Sequence, residues 1–269
     1  MHAILLAAGR GDHFAGPGRD DRPVCLLEFG GRSLLARHLD ELVQNGIGKA
    51  DLVLGYEARQ VIDHIATLSS RPDVAFHFNP RFELGSVLDL LAAAESLRSV
   101  DSTLVMDASA LYHPDALQRL VASPQENCLL FDGSREPSGA SIGIALHEGR
   151  VVDFGRRLGD VPGSDALGVM PGLFRIGSMA AACIADECER FEREGLADSS
   201  YEEALRAVLR SCPLAFGIED ISGLPWSALD NEDDLERIEY LAPDAGPLVE
   251  VGRKPPCGRR GWAFVGREA

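Results

Sequence analysis

The first 131 residues alternate short apolar runs with amphipathic helical patterns, and this alternation constrains the fold more than any other feature of the chain. Apolar runs of strand length occupy 3–7, 50–54, 74–78, 103–106 and 127–131, with helical periodicity over 33–44, 56–68, 86–97 and 115–122 between them. Strand, helix, strand repetition at this spacing predicts a mostly parallel sheet with helices on both faces, an α/β fold of Rossmann-like type.

From about residue 134 the texture changes. Residues 141–146 and 150–154 flank His147-Glu148-Gly149 and read as a hairpin, and 168–176 reads as one further strand. Helices over 178–194 and 200–210, a strand over 215–218 and a last helix over 232–241 complete a mixed α+β extension of the same sheet. The expected organisation is one domain over 1–242, with a Pro- and Gly-rich, loosely ordered tail over 243–269 that carries Arg253, Lys254, Arg259 and Arg260.

Composition narrows the partners. The 269 residues are 45% hydrophobic, enough for a sizeable core. Against 42 acidic residues stand 26 basic ones, a net charge of -16, which argues against a nucleic-acid or anionic-membrane surface. A polyphosphate ligand would then need locally placed cations or a divalent metal. Six cysteines without a C-x-x-C pair read as buried thiols of a reducing compartment. No apolar run reaches the roughly 18 residues of a membrane span, and the chain opens on a strand without a charged leader, so a cytoplasmic protein is expected.

The chemistry starts where the first strand ends, in ILLAAGRGDHF at 4–14. Gly9 and Gly11 would leave backbone N–H groups uncovered for phosphate oxygens. Alone, the stretch is as consistent with a plain strand-to-loop turn: Phe14 stands where the dinucleotide fingerprint has its third glycine, and no Gly-Lys-Ser/Thr follows.

Taken with RPVCLLEFGGRSLLARHLDELVQNGI, FNPRFELGSVLDLLAAAESL, TLVMDASALYHPDALQRL and LPWSALDNEDDLERIEYL, in that order and spacing, it resembles the sugar-phosphate and phosphocholine-type nucleotidyltransferase family over roughly 3–240. The resemblance implies a Rossmann-like, GT-A-like domain whose half 1–133 binds a nucleoside triphosphate and whose half 134–242 binds the second substrate. It implies attack of a phosphate oxygen on the α-phosphate, departure of pyrophosphate, and Mg²⁺ held by two aspartates. The Asn-Pro-Arg-Phe stretch with Gly85-Ser86 looks most like the branch that uses CTP with phosphocholine or phosphonates. The implied nucleotide contacts are Leu6, Ala7, Ala8, Gly9, Gly11, Asn79, Gly85 and Ser86.

Several family positions are altered. His13 stands at the arginine of the glycine loop, Val24 at the lysine of a Pro-Lys pair, and Ser109 at the first metal aspartate, while Asp230 keeps the second. Only Arg156 or Arg157 matches the later lysine, and the chain's two lysines, Lys49 and Lys254, fall in no motif. Replacement groups are at hand. Asp107, two residues before Ser109 in an extended strand, would present its carboxylate on the same side; Arg10, Arg19 or Arg22 would supply positive charge. The candidate set is therefore Arg10, Arg22 and Asp107 for catalysis and Asp107, Ser109 and Asp230 for the metal.

Plainer readings stand beside these. Asp107 also suits a strand-end cap, Asp230 the N-cap of the last helix, Tyr112 with His113-Pro114 a structural loop, Trp226 the packing of a turn, and Glu202-Glu203 a solvated helix face. Two functions remain open: a CTP-dependent nucleotidyltransferase acting on a small phosphomonoester or phosphonate, and a catalytically impaired relative that keeps the fold for nucleotide, metabolite or protein binding. The residues do not fix the base or the acceptor. An exposed hairpin edge offers a surface for a homodimer.

Overall fold

Fourteen strands and seven helices follow one another through the part of the chain that the computed structural model describes, residues 1–11, 22–137, 141–156, 158–212, 214–229 and 234. His13, Arg19, Arg157, Asp230, the expected helix 232–241 except for Asp234, and the tail 243–269 lie outside the described residues. The strands are β1 (His2–Ala7), β2 (Glu28–Phe29), β3 (Arg32–Ser33), β4 (Lys49–Leu54), β5 (Asp73–Phe78), β6 (Ser102–Asp107), β7 (Ala110–Tyr112), β8 (Cys128–Phe131), β9 (Ile142–His147), β10 (Arg150–Gly155), β11 (Ala166–Met170), β12 (Leu173–Gly177), β13 (Gly217–Asp220) and β14 (Trp226–Ala228). The helices are α1 (Leu34–Gln44), α2 (Ala58–Thr67), α3 (Val87–Ala92), α4 (Ala94–Ser99), α5 (Pro114–Ala122), α6 (Ser178–Arg193) and α7 (Tyr201–Ser211).

Seven strands form the central sheet in the order β13-β8-β12-β6-β1-β4-β5. All neighbours are parallel except at β12, which runs antiparallel to both β8 and β6. The sheet is therefore mostly parallel and Rossmann-like, as the alternating pattern predicts. Side chains of β1 explain why its apolar run is continuous: Ile4 and Leu6 enter one core, Ala3, Leu5 and Ala7 the other. Helices α3, α4, α6 and α7 cover the first face, and α1, α2 and α5 the second.

Local chemistry sets the helix ends. Ser33 caps α1, its Oγ accepting the Ala36 N–H at 3.0 Å. His113 caps α5 and Pro114 opens it, so the His-Pro pair belongs to the loop reading.

Three expected elements differ. The single helix over 86–97 is two short ones that meet at Ala93. The strand expected at 215–218 is displaced to Gly217–Asp220. The strand expected over 168–176 breaks at Pro171-Gly172, where Gly172 takes φ +81°, a left-handed value open to glycine. Its two halves join different sheets: β12 enters the central sheet, whereas β11 pairs with β9 in a separate three-stranded sheet ordered β10-β9-β11. The second half is thus only in part an extension of the first sheet. Finally, β14 returns antiparallel to β7, which brings Trp226 opposite Tyr112 beyond the end of β6.

Candidate active site

In an open parallel sheet, ligands bind outside the carboxyl ends of the strands. Here β1, β4 and β6 end side by side, with Leu6 in register with Asp107 and the Ala108 N–H donating to the Leu6 carbonyl at 3.1 Å. Tyr56, just after β4, donates its N–H to the Ala8 carbonyl at 2.9 Å. Leu6, Ala7 and Ala8 thus bury their side chains and spend backbone groups on the sheet. Gly9 is exposed and Gly11 half-buried. Among the described residues, no atom lies within 4 Å of where a Gly9 Cβ would stand, and Gly11 has φ +74°.

Positive charge near this turn comes from Arg10, whose guanidinium lies 5.1 Å from the centre of the Tyr56 ring. Arg22 is half-buried near His64. Val24, at the family's lysine position, is buried in a short 3-10 turn (Val24–Leu26) and offers no cation.

Other implied nucleotide contacts are engaged by the protein itself. Asn79 is buried, donates Nδ2 to Asp89 Oδ1 at 2.8 Å and accepts the Arg81 N–H at 2.9 Å. Burial pushes the Asp89 carboxyl up to about 6 against the pull of that bond. A Cβ on Gly85 would stand 1.9 Å from the Ser199 carbonyl oxygen, and Ser86 Oγ accepts the Tyr201 N–H at 3.0 Å. These residues join α3 to the start of α7.

At the tip of β6 the strand ends at Asp107 and turns, so Asp107 and Ser109 do not meet as alternate residues of an extended strand. They meet through an Asx-type turn, in which the Ser109 N–H and Oγ–H both donate to Asp107 Oδ1, at 2.9 and 2.7 Å. The plainer capping role is therefore present, and it leaves the carboxylate facing the cleft whose wall it forms. The Pro171-Gly172 turn is clamped alongside: Tyr112 Oη donates to the Pro171 carbonyl at 3.0 Å, and the Asp107 N–H to the Gly172 carbonyl at 3.1 Å. A Cβ on Gly172 would come within 3.3 Å of Asp107 Cβ.

The cleft beside Asp107 has a volume of about 250 Å³, and Arg135, Arg156, Tyr201, Glu202 and Trp226 contribute to its walls. Trp226 does more than pack a turn. Its Nε1 donates to the buried Asp132 Oδ2 at 2.8 Å; Arg135 stacks 4.1 Å from its ring centre, donates to its carbonyl at 2.8 Å and pairs with Asp132 at 3.2 Å. A buried carboxylate thus fixes both an aromatic wall and a guanidinium.

Glu202 corrects a second expectation. It is 2% exposed, not on a solvated face, and its Oε1 pairs with Arg156 Nη2 at 3.3 Å. Burial pushes its carboxyl pKa up, opposed by Arg156, and pushes the adjoining Tyr201 hydroxyl well above its usual range. The spacing held a signal for this: Glu202 lies three residues before buried Leu205, on the inward stripe of α7. Asp132 and Arg135 carried no comparable signal. They follow β8 in a loop, and only the fold brings β14 to them.

Of the metal candidates, Asp107 and Ser109 are adjacent and Asp230 lies outside the described residues, among which no group of three or more His, Cys, Asp or Glu side chains is placed to hold a metal. Cys25, Cys128 and Cys188 are buried, and Cys183 and Cys212 partly so, all as free thiols. No described helix is long and apolar enough to cross a membrane.

Comparison with known proteins bears on the whole arrangement. Residues 3–160 match the family model of the MobA-like NTP transferase domain. A bifunctional IPC transferase and DIPP synthase of Rubrobacter xylanophilus is 28% identical over 244 residues, covering 89% of this chain and 51% of that protein, so the chain spans about half the length of this relative. A CTP:phosphoglutamine cytidylyltransferase of Campylobacter jejuni is 21% identical over 257 residues, 88% of this chain and 98% of that one. Among solved structures, the inositol-1-phosphate CTP transferase of T. maritima superposes with a TM-score of 0.70 at 19% identity, covering 89% of this chain and 94% of its own.

Proposed function

Because the chain belongs to the MobA-like NTP transferase family, we propose that it transfers a nucleoside monophosphate from a triphosphate, with CTP favoured, to a small phosphomonoester or phosphonate. Support for CTP comes from the relatives, described as a phosphoglutamine cytidylyltransferase and an inositol-1-phosphate CTP transferase. The observation that carries the reading is the position of Asp107, at the carboxyl end of β6, between the Gly9–Gly11 turn and the cleft walled by Arg156 and Trp226.

In this reading the triphosphate lies over the backbone N–H groups of Gly9 and Gly11, with Arg10 supplying charge beside them. Arg22 is a second candidate for that charge. The acceptor occupies the cleft, with a phosphate or phosphonate oxygen aimed at the α-phosphorus. That oxygen forms a new P–O bond as the α–β anhydride bond breaks, and pyrophosphate leaves with the anhydride electrons. Little covalent work falls to the protein, so catalysis is positioning and charge neutralisation.

Mg²⁺ would neutralise the charge developing on the phosphates. The donor set fits such an ion. Mg²⁺ retains waters and is commonly held by one or two carboxylates together with substrate phosphates rather than by an all-protein cage. Asp107, whose Oδ1 accepts from Ser109, would supply one carboxylate, and Asp230 would be the second.

A second reading has its own support. Buried Val24 and the Ser109 substitution remove two charged groups of the family site, which suits a chain that binds nucleotide without turning it over. Thermal unfolding with each of CTP, UTP, GTP and ATP, with and without Mg²⁺, tests the binding step common to both readings. A ligand at about 100 times its Kd adds about 2.7 kcal/mol. A Mg²⁺-dependent shift largest with CTP is expected, and the absence of any shift would refute both.

A further inference from the structure

We propose that Cys183 and Cys212 form a redox-modification site, a pair of thiols that closes to an intrachain disulfide and fastens the far end of α7 to α6. The inference is independent of the reading of the cleft. Helices α6 and α7 follow one another across the short connection 194–200 and pack together as an αα-hairpin, their buried stripes, Ala180, Ile184 and Cys188 on one and Tyr201, Leu205 and Val208 on the other, entering the same core. Cys183 lies about ten residues, roughly 15 Å of helix, before the end of α6 at Arg193, and Cys212 caps α7 about 16 Å beyond its start at Tyr201. The two therefore stand at the same height of the hairpin. Cys183 has a side-chain hydrogen bond with Cys212, and both pack against the shared core from its rim.

Exposure separates this pair from the other thiols. Among the described residues, Cys25, Cys128 and Cys188 are buried, while Cys183 and Cys212 are partly open. Burial pushes Cys25 and Cys188 up to about 12, so they stay protonated and out of reach. Partial burial, with the Cys212 hydrogen bond and the charge of Asp186, pushes Cys183 up to about 11. Cys183 thus holds its proton and acts second, and the first step falls to Cys212 at the open end of its helix. The oxidant is a small-molecule disulfide. The Cys212 thiolate attacks one of its sulfurs, making a mixed disulfide and releasing one thiolate, to which Cys183 passes its proton. Cys183 then attacks the Cys212 sulfur, the Sγ–Sγ bond forms, and the second small thiolate leaves and takes up the proton that Cys212 lost. Two electrons pass from the two cysteines to the reagent. The bond closes a loop of roughly 30 residues and ties down α7, whose first turn carries Tyr201 and Glu202 into the cleft wall.

The test treats the full reduced chain with hydroxyethyl disulfide, an uncharged probe suited to the acidic flank at Asp186 and Glu187, and then blocks the remaining thiols with iodoacetamide in denaturant. Mass spectrometry should show two alkylation sites lost without a probe adduct, a peptide linked through Cys183 and Cys212, and full reversal by dithiothreitol. The oxidised chain should melt at least about 5 °C above the reduced one. Cys183→Ser should keep the probe on Cys212 as a mixed disulfide, whereas Cys188→Ala should still form the link. A wild-type chain that carries only probe adducts, or keeps every thiol open to alkylation, overturns the proposal, as does a link that persists in Cys183→Ser. A link without a rise in Tm overturns the fastening of α7. Should the variants fail to fold, fragmentation of the wild-type linked peptide decides between Cys183 and Cys188.

Discussion

The two sides of Asp107 are built on opposite principles. On the side of β1, the proposed triphosphate position is backbone: Gly9, with no described atom within 4 Å of where a Cβ would stand, Gly11 in a left-handed conformation, and Arg10 resting on Tyr56. On the side of α7, the cleft consists of side chains fixed by other side chains, with Asp132 holding Trp226 and Arg135, and Tyr112 holding the Pro171-Gly172 turn. Phosphates are common to all triphosphates and need only N–H groups and charge, whereas an acceptor has to be told from its competitors by shape and polarity. The contrast explains why motif residues cluster on one side and buried polar residues on the other.

The boundary between the two sides offers the sharpest break. Asp107→Asn keeps the shape and the acceptor for the Ser109 hydrogen bonds but removes the charge. Pyrophosphate release should fall about 100- to 1,000-fold, with acceptor affinity nearly unchanged. A smaller loss would mean that another carboxylate serves both substrates.

Gly85→Ala tests whether Gly85 belongs to the nucleotide or to the packing of α3 on α7. A Cβ 1.9 Å from a carbonyl oxygen forces the backbone apart, so stability should drop by about 3 kcal/mol in denaturant titration. A variant with wild-type stability and weakened CTP binding would move Gly85 to the nucleotide side.

His38 tests whether the cleft is supported from behind. It is buried, packs 5.7 Å from the Tyr112 ring, and burial holds its pKa down at about 4. The unfolded chain takes up this proton near pH 6.5 and the folded chain does not, so its stabilising contribution is complete above 6.5 and is lost as pH falls toward 4. Glu41, pushed up to about 7, and Asp89 act in the opposite sense over much of that window, which makes the difference between variants the quantity to measure. Between pH 6.5 and 5 the wild type should lose about 1.6 kcal/mol relative to His38→Leu. Parallel pH profiles would show that His38 titrates normally.

The smallest expected effect is at Trp226. Trp226→Phe keeps the ring and removes the Nε1 donor, leaving Asp132 to Arg135 and Ser134, at a cost of about 1–2 kcal/mol. Acceptor affinity should weaken with it while CTP affinity holds.

Legibility in the sequence followed the same division. The apolar runs of β1, β4, β6 and β8 could be read because strands buried on both faces leave continuous signatures. Residues 168–176 could not, since Val169, Met170, Leu173 and Phe174 are apolar throughout and only Gly172 marks the change of sheet. Glu202 was misjudged because a glutamate in the first turn of a helix is ordinarily solvated and favourable to the helix dipole. Asp132, Arg135 and Trp226 are 94 residues apart from first to last and are joined only by the return of β14. A network whose members meet through tertiary folding leaves no spacing to read.

The most direct test of the account is pyrophosphate release from CTP by the wild-type chain with Mg²⁺ and a panel of small phosphates and phosphonates. The account predicts release that requires both Mg²⁺ and an acceptor. A folded chain that binds CTP and releases no pyrophosphate with any acceptor would contradict it, and would leave the cleft as a binding site without the transfer.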